Sequence, residues 1–327
     1  MTSGSDGNWS SQASSVKRLK TVRMTLTVGL IAILLILILQ QSVRDQIIDS
    51  IQSLSHLHIA LLAALFVLMR VVQALSLRRV LSLYNQNIEF NSALSLAGLK
   101  GGFNLGFSGL GLVAQSAQAR VQFLVPVRVM LFANVTQSFM LILALGVCLF
   151  LATLFFFEAD GLPAPIAFLA LALGAGLLGF SGAVICLLPN GPGKKVRKVK
   201  ALRSLLPPEA SRKPPWHVVV GIVVLQSALV VLRTARVLVI AYAITSAVNV
   251  EFLTVTVLAA DTLGVIPITP GGIGVRELII GMLGATTDHY EVYLAAAIID
   301  RVLTVVFNIV HGSIAIWASG GQQHTAQ

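Results

Sequence analysis

Residues 267–277 read Pro267-Ile-Thr-Pro270-Gly271-Gly272-Ile-Gly274-Val275-Arg276-Glu277. Two prolines and three glycines cannot continue a helix. Proline lacks the N–H and clashes with the preceding turn, and glycine loses the most backbone freedom on ordering. Yet the segment lies inside an apolar region, 252–285, whose only charged residues are Asp261, Arg276 and Glu277. Irregular backbone at membrane depth survives only where protein or a water-filled cavity covers it. A helix can restart near Val275, or as early as Pro270 with Thr269 as its N-cap. Either way its free N–H groups and positive dipole end face that cavity, which suits an anion or a phosphate. A tight packing turn between two helices is the competing reading.

The rest of the chain supplies the membrane. Of 327 residues, 56% are hydrophobic and 11% charged, and the mean hydropathy is +0.87. A soluble domain carries roughly 25% charged residues, so an ordinary cytoplasmic enzyme is excluded. At roughly 20 apolar residues per span, six full spans emerge: Met24 to Leu39, then 57–77, 129–157, 164–188, 216–247 and 292–318. A second apolar region, 91–113, is broken like 252–285, through Asn104, Gly106, Ser108, Gly109 and Gly111. Residues 1–21 form a polar tail that ends in basic residues, and no small-x-small cleavage site follows the first span. That span is therefore read as uncleaved. The expected organisation is one transmembrane domain, 22–318, made of halves 22–157 and 164–318. A basic loop, 189–215, joins the halves, and a short tail, 319–327, follows.

Cytoplasmic loops carry excess Lys and Arg. Basic residues gather in the N-terminal tail, at Arg78, Arg79, Lys100, Arg120 and Arg128, and in the 194–213 run, which holds eight against Glu209 alone. The opposite loops hold Asp45, Asp49, Glu158, Asp160, Glu251, Asp288 and Glu291 against Arg44 alone. This places both termini in the cytoplasm. The net charge of +10 is then a topology signal, and nucleic-acid binding is not expected. With that topology the second half is the first turned upside down. Matching residues agree. At an offset of 162, Asn87-Ile-Glu-Phe90 matches Asn249-Val-Glu-Phe252. At 163, Arg70 matches Arg233, Gly109 matches Gly272 and Gly111 matches Gly274. Inverted repeats with broken helices at the midplane are a common transporter architecture.

Charges inside spans cost about 2.5–3.5 kcal/mol each on insertion scales. Here they are Arg70, Arg233, Arg236, Asp261, Arg276, Glu277, Asp300 and Arg301. Five arginines face three carboxylates, whereas pairing alone would balance. Arg233 and Arg236, three apart, share a helix face, and arginine is the natural bidentate partner of phosphate. The expectation is that Asp300 or Glu277 pairs with Arg301 or Arg276, while Arg70, Arg233 and Arg236 face a lipid head group. Internal glue for all eight, Asp261 included, is the alternative.

The segment Pro270 to Glu277 resembles, position for position, the P-G-G-x-G-x-R-E signature of the flippase-like family, the membrane region of lysylphosphatidylglycerol synthases. The first half loosely resembles that family's Gly-rich segment through Asn104, Gly109, Gly111 and Arg120, but lacks the Arg-Glu pair. The resemblance implies phospholipid handling, with movement between leaflets as the activity. Pro270, Gly271, Gly272, Gly274, Arg276 and Glu277 are then substrate contacts, alongside Asn104, Gly109, Gly111 and the three arginines. The family's bifunctional members add an aminoacyl-transferase domain. This chain's last span ends close to Gln327, so lysyl transfer is not expected.

Other chemistry is weaker. Gly106-Phe-Ser108-Gly109 reads as the G-x-S-G of intramembrane serine proteases, and His311 would be the base. The sequence does not bring the two together, and His311 reads as a packed helix residue hydrogen-bonded to a neighbour. Cys148 and Cys186 lie in apolar runs and define no disulfide framework. No metal spacing, cofactor fingerprint or nucleotide loop is present. The sequence thus sets out an all-α polytopic membrane protein with six full spans, two re-entrant broken-helix segments and an inverted repeat. It is read as an inner-membrane lipid flippase without an enzymatic step, whose partner is a phospholipid with an anionic head group. Homo-oligomerisation stays open. A coupled carrier of a small anion and an intramembrane lipid-modifying enzyme are the alternatives.

Overall fold

The computed structural model describes residue 52 and residues 54–103, 110–156, 165–187, 215–265, 275–285, 287 and 290–321. Among them all regular structure is helical: α1 (His56–Leu83), α2 (Phe90–Phe103), α3 (Leu110–Phe123), α4 (Val127–Phe155), α5 (Pro165–Leu187), α6 (Trp216–Ile244), α7 (Val250–Gly264), α8 (Val275–Gly284) and α9 (Tyr290–Gly321). Five of these, α1, α4, α5, α6 and α9, are long and apolar enough to cross a bilayer. The expected first span, 24–39, and the basic loop 188–214 lie outside the described residues. The long helices carry exposed apolar side chains, such as Val67, Leu177, Phe180, Val231 and Ile309, a surface that water would not tolerate and lipid tails do.

Local chemistry sets the boundaries. α1 ends in a Schellman turn: Asn85 adopts φ 57°, Gln86 N–H donates to Leu81 C=O at 3.0 Å and Asn85 N–H to Ser82 C=O at 3.1 Å. Asparagine tolerates this left-handed conformation better than most side chains. The helix therefore runs past 77 to Leu83, and Arg78 and Arg79 sit on its exposed last turns rather than in a loop. Asn249 caps α7, its Oδ1 accepting from Phe252 N–H at 2.9 Å, with Glu251 in the favourable first turn. Pro126 and Pro215 stand at the N-caps of α4 and α6.

Each broken region is a pair of helices. The first is α2 and α3, 14 residues each, flanking 104–109. The second is α7 and α8, of 15 and 10 residues, flanking 266–274. The first pair is longer than expected. α3 continues beyond 113 to Phe123, which carries Arg120 onto an exposed helical turn instead of a loop.

The order long helix, short pair, long helix occurs twice, as α1–α2–α3–α4 and α6–α7–α8–α9. The packing repeats too. α2 lies on α9 and its counterpart α7 on α4; α1 packs on α4 and α6 on α9. Two apolar clusters lie on either side: Leu77, Leu81, Leu96, Met130 and Met140 form one, joined by Ile222 of α6, and Ile240, Leu253, Ile280 and Tyr293 form the other, joined by Leu62 of α1. Between them α1 and α6 run antiparallel, because Met69 meets Arg236, Ser76 meets Gln226 and Arg79 meets Gly221. Glycines draw other backbones close. A Cβ on Gly102 would lie 3.2 Å from Gly312 Cα, where α2 crosses α9, and Gly146 and Gly179 do the same service between α4 and α5. Small residues at helix crossings are how membrane helices gain van der Waals contact.

Candidate functional site

Where α1 and α6 cross, Arg70 and Arg233 stand near the middle of helices of 28 and 29 residues. At 1.5 Å per residue that is about 20 Å from either end of α1. A cavity of about 530 Å³ opens there. Six cations line it: Arg70, Lys100, Arg233, Arg236, Arg276 and Arg301. Gln73, Gln115, Gln137, Gln226 and Asn308 supply neutral polar groups, and Phe66, Leu141, Leu229 and Val305 apolar wall.

Three carboxylates answer the six cations, all from the second half. Asp300, 1% exposed, sits between two guanidiniums: Arg236 Nε donates to Oδ1 at 2.8 Å and Arg276 Nη1 to Oδ2 at 2.7 Å. Arg276 Nε lies 2.6 Å from Asp261 Oδ1. Arg236 also donates to Thr304 Oγ1 at 2.6 Å. Two acids and two arginines thus form a neutral chain joining α6, α7, α8 and α9. Arg301 Nε lies 3.8 Å from Glu277 Oε1, a looser pair on the same side. Arg236, expected to face a head group, is therefore committed to Asp300.

Among the described residues the remaining cations form no ion pair with a carboxylate. Arg70 donates from Nη1 to Gln73 Oε1 at 2.8 Å and from Nη2 to Asn308 Oδ1, and its Cζ lies 4.7 Å from the Phe66 ring centroid. Lys100 Nζ donates to Asn134 Oδ1 at 2.6 Å, and Asn134 in turn donates to Gln115 Oε1 at 2.9 Å. Arg233 forms no ion pair or hydrogen bond with any described residue. Asp261 and Asp300 act on it only through space while bonded to other arginines, and a guanidinium at this depth without a direct partner among the described residues is costly, unless something else supplies the negative charge.

The remaining sequence candidates fall in three places. Pro270, Gly271, Gly272, Gly274, Asn104, Gly109 and Ser108 lie outside the described residues. Gly111 is buried in the first turn of α3, and Arg120 is exposed at its other end; neither lines the cavity. His311 packs against Gly98 rather than bonding a neighbour, and its Nδ1 has no hydrogen-bond partner among the described residues.

Gln73, three residues from Arg70, shares its helix face by spacing; Lys100, Asn308, Gln115, Gln137 and Gln226 carry no such signal in the sequence. Lys100 was read as a loop charge. Its setting, Gly98-Leu-Lys100-Gly101-Gly102, was the available signal: a lone cation among small residues in an apolar stretch. Gly101 makes room for Arg70, since a Cβ there would lie 2.9 Å from Nη1.

A search of curated proteins finds no match to the chain. Residues 24–312, nine-tenths of the chain, match the family described as the lysylphosphatidylglycerol synthase TM region. With helices built to cross a bilayer and a match of that extent, the chain belongs to the lysylphosphatidylglycerol synthase TM-region family and is a multi-pass membrane protein of lipid-related function.

Proposed function

We propose that the protein carries a phospholipid, or another lipid-linked substrate with an anionic head group, between membrane leaflets, with no enzymatic step of its own. The observation that carries this reading is Arg233. It is a mid-span guanidinium with no ion pair or hydrogen bond to a described residue, and it lines a cavity where, among the described residues, six cations meet three carboxylates.

Two further features support it. The equivalent long helices α1 and α6 are antiparallel, as they must be if the halves are inverted copies across the membrane, and each half contains a broken helix pair. This is the arrangement in which transporters hold substrates near the midplane. In this reading six spans and two re-entrant segments lie in the inner membrane, with both termini cytoplasmic. The cavity also has the roughly 300–1,000 Å³ scale of sites for organic ligands. A carrier of a small inorganic anion would need far less space and no apolar wall.

The test is leaflet redistribution of a labelled anionic phospholipid in proteoliposomes. Arg233→Ala should abolish it. Arg233→Lys should keep the charge yet slow it about tenfold or more, because lysine cannot give two parallel hydrogen bonds. Unchanged redistribution by folded Arg233→Ala protein would make Arg233 structural and the lipid-carrying reading wrong.

A further inference from the structure

The charge around the cavity is divided unevenly. Asp261, Asp300 and Glu277 neutralise Arg236, Arg276 and Arg301 on α6, α8 and α9. Among the described residues Arg70, Lys100 and Arg233 form no ion pair with a carboxylate, and they come from three different helices, α1, α2 and α6. All three line the same cavity, so their like charges act on one another. Only part of their hydrogen-bonding capacity is used. Among the described residues Lys100 donates one bond, Arg70 two and Arg233 none, against three donors on a lysine and five on each arginine.

Resting on the lipid-carrying reading, we infer that the head group bears at least two negative charges, as a phosphomonoester or diphosphate does, and that a lysylated head group is excluded. A phosphodiester such as phosphatidylglycerol supplies one negative charge and leaves two buried cations unbalanced. A phosphomonoester carries about −1.5 to −2 at neutral pH and presents three acceptor oxygens. Donors converging from three helices match that number of oxygens. A lysyl ester adds two ammonium groups to one phosphodiester. It would bring net positive charge against three cations that already repel.

The experiment uses the full chain in nanodiscs and native mass spectrometry, with competing probes of identical acyl chains: phosphatidic acid, phosphatidylglycerol, lysylphosphatidylglycerol and phosphatidylethanolamine. The expected order puts phosphatidic acid about tenfold above phosphatidylglycerol, the worth of one charge-assisted hydrogen bond, and the lysylated lipid last. Lys100→Gln, which can still donate to Asn134, should bring the first two to parity, and Lys100→Arg should restore the gap. Equal retention of the two anionic lipids by the wild type, or tightest retention of the lysylated one, overturns the head-group inference. So does a gap that survives Lys100→Gln. Displacement of phosphatidic acid by inorganic diphosphate at equal concentration would make the ligand a free anion and overturn it too. Redistribution in proteoliposomes keeps the two readings apart. Transport of phosphatidylglycerol as fast as phosphatidic acid sinks only the charge requirement, whereas transport of no lipid, with the retention order intact, sinks only lipid carriage.

Discussion

Asp300 gives one oxygen to Arg236 and the other to Arg276, so a change at this carboxylate orphans two guanidiniums. Breaking a buried pair from one side costs about 3–5 kcal/mol, because the surviving charge has no water to return to. Asp300→Asn should therefore lower the midpoint of thermal unfolding in detergent far more than Arg301→Gln, whose pair is looser at 3.8 Å. Gly101→Ala works by shape. The added methyl would lie 2.9 Å from the Arg70 guanidinium, the far end of a flexible side chain, which would shift away from its place in the cavity at little cost to the fold. Lipid redistribution should fall sharply while circular dichroism stays unchanged. Which charges lie inside spans was plain from the sequence, because each interrupts an apolar run. Which of them pair was not. Spacing puts Arg233 and Arg236 on one face, yet only the fold brings α9 beside that face and bonds Asp300 to Arg236 rather than to Arg233. Lys100 was misplaced because counting charges between apolar runs assigns every lysine to a loop.

At the scale of elements, the helix crossings rest on missing side chains. α2 meets α9 through Gly98, Gly102, Gly312 and Ala315. Adding bulk there should force the helices apart: Gly102→Leu, whose Cβ alone would lie 3.2 Å from Gly312 Cα, should lower the midpoint of thermal unfolding in detergent. An unchanged midpoint would mean that the two helices do not approach as described. The long helices were legible because apolar runs of this length have few other solutions. Their ends were less so, since α1 stops at a backbone turn centred on Asn85 rather than where its hydrophobicity fades. The broken regions were legible through glycine and proline. The length of α3 was not, since Gln115, Ser116, Gln118 and Gln122 make a helix of a protein-covered segment look like loop.

At the scale of the molecule, the matching order of elements and the antiparallel α1 and α6 fit two halves related by a rotation about an axis near Arg70 and Arg233. The topology that goes with it has a direct check. Reagent applied from outside the cell should label His289→Cys and leave Lys198→Cys untouched; the reverse pattern would overturn the orientation. The scaffold repeats, but the chemistry does not. At the offset of 163 that relates Arg70 to Arg233, the partners of Arg236 and Asp300 are Gln73 and Gln137. One half holds an ion pair where the other holds two neutral amides, engaged with Arg70 and Ser76. Were the halves to exchange shapes, the two resulting forms would share an outline and differ in where fixed charge sits. They would therefore differ in energy, and a voltage across the bilayer would act on them unequally. In that reading a few unmatched side chains would set which of the two forms is the resting one.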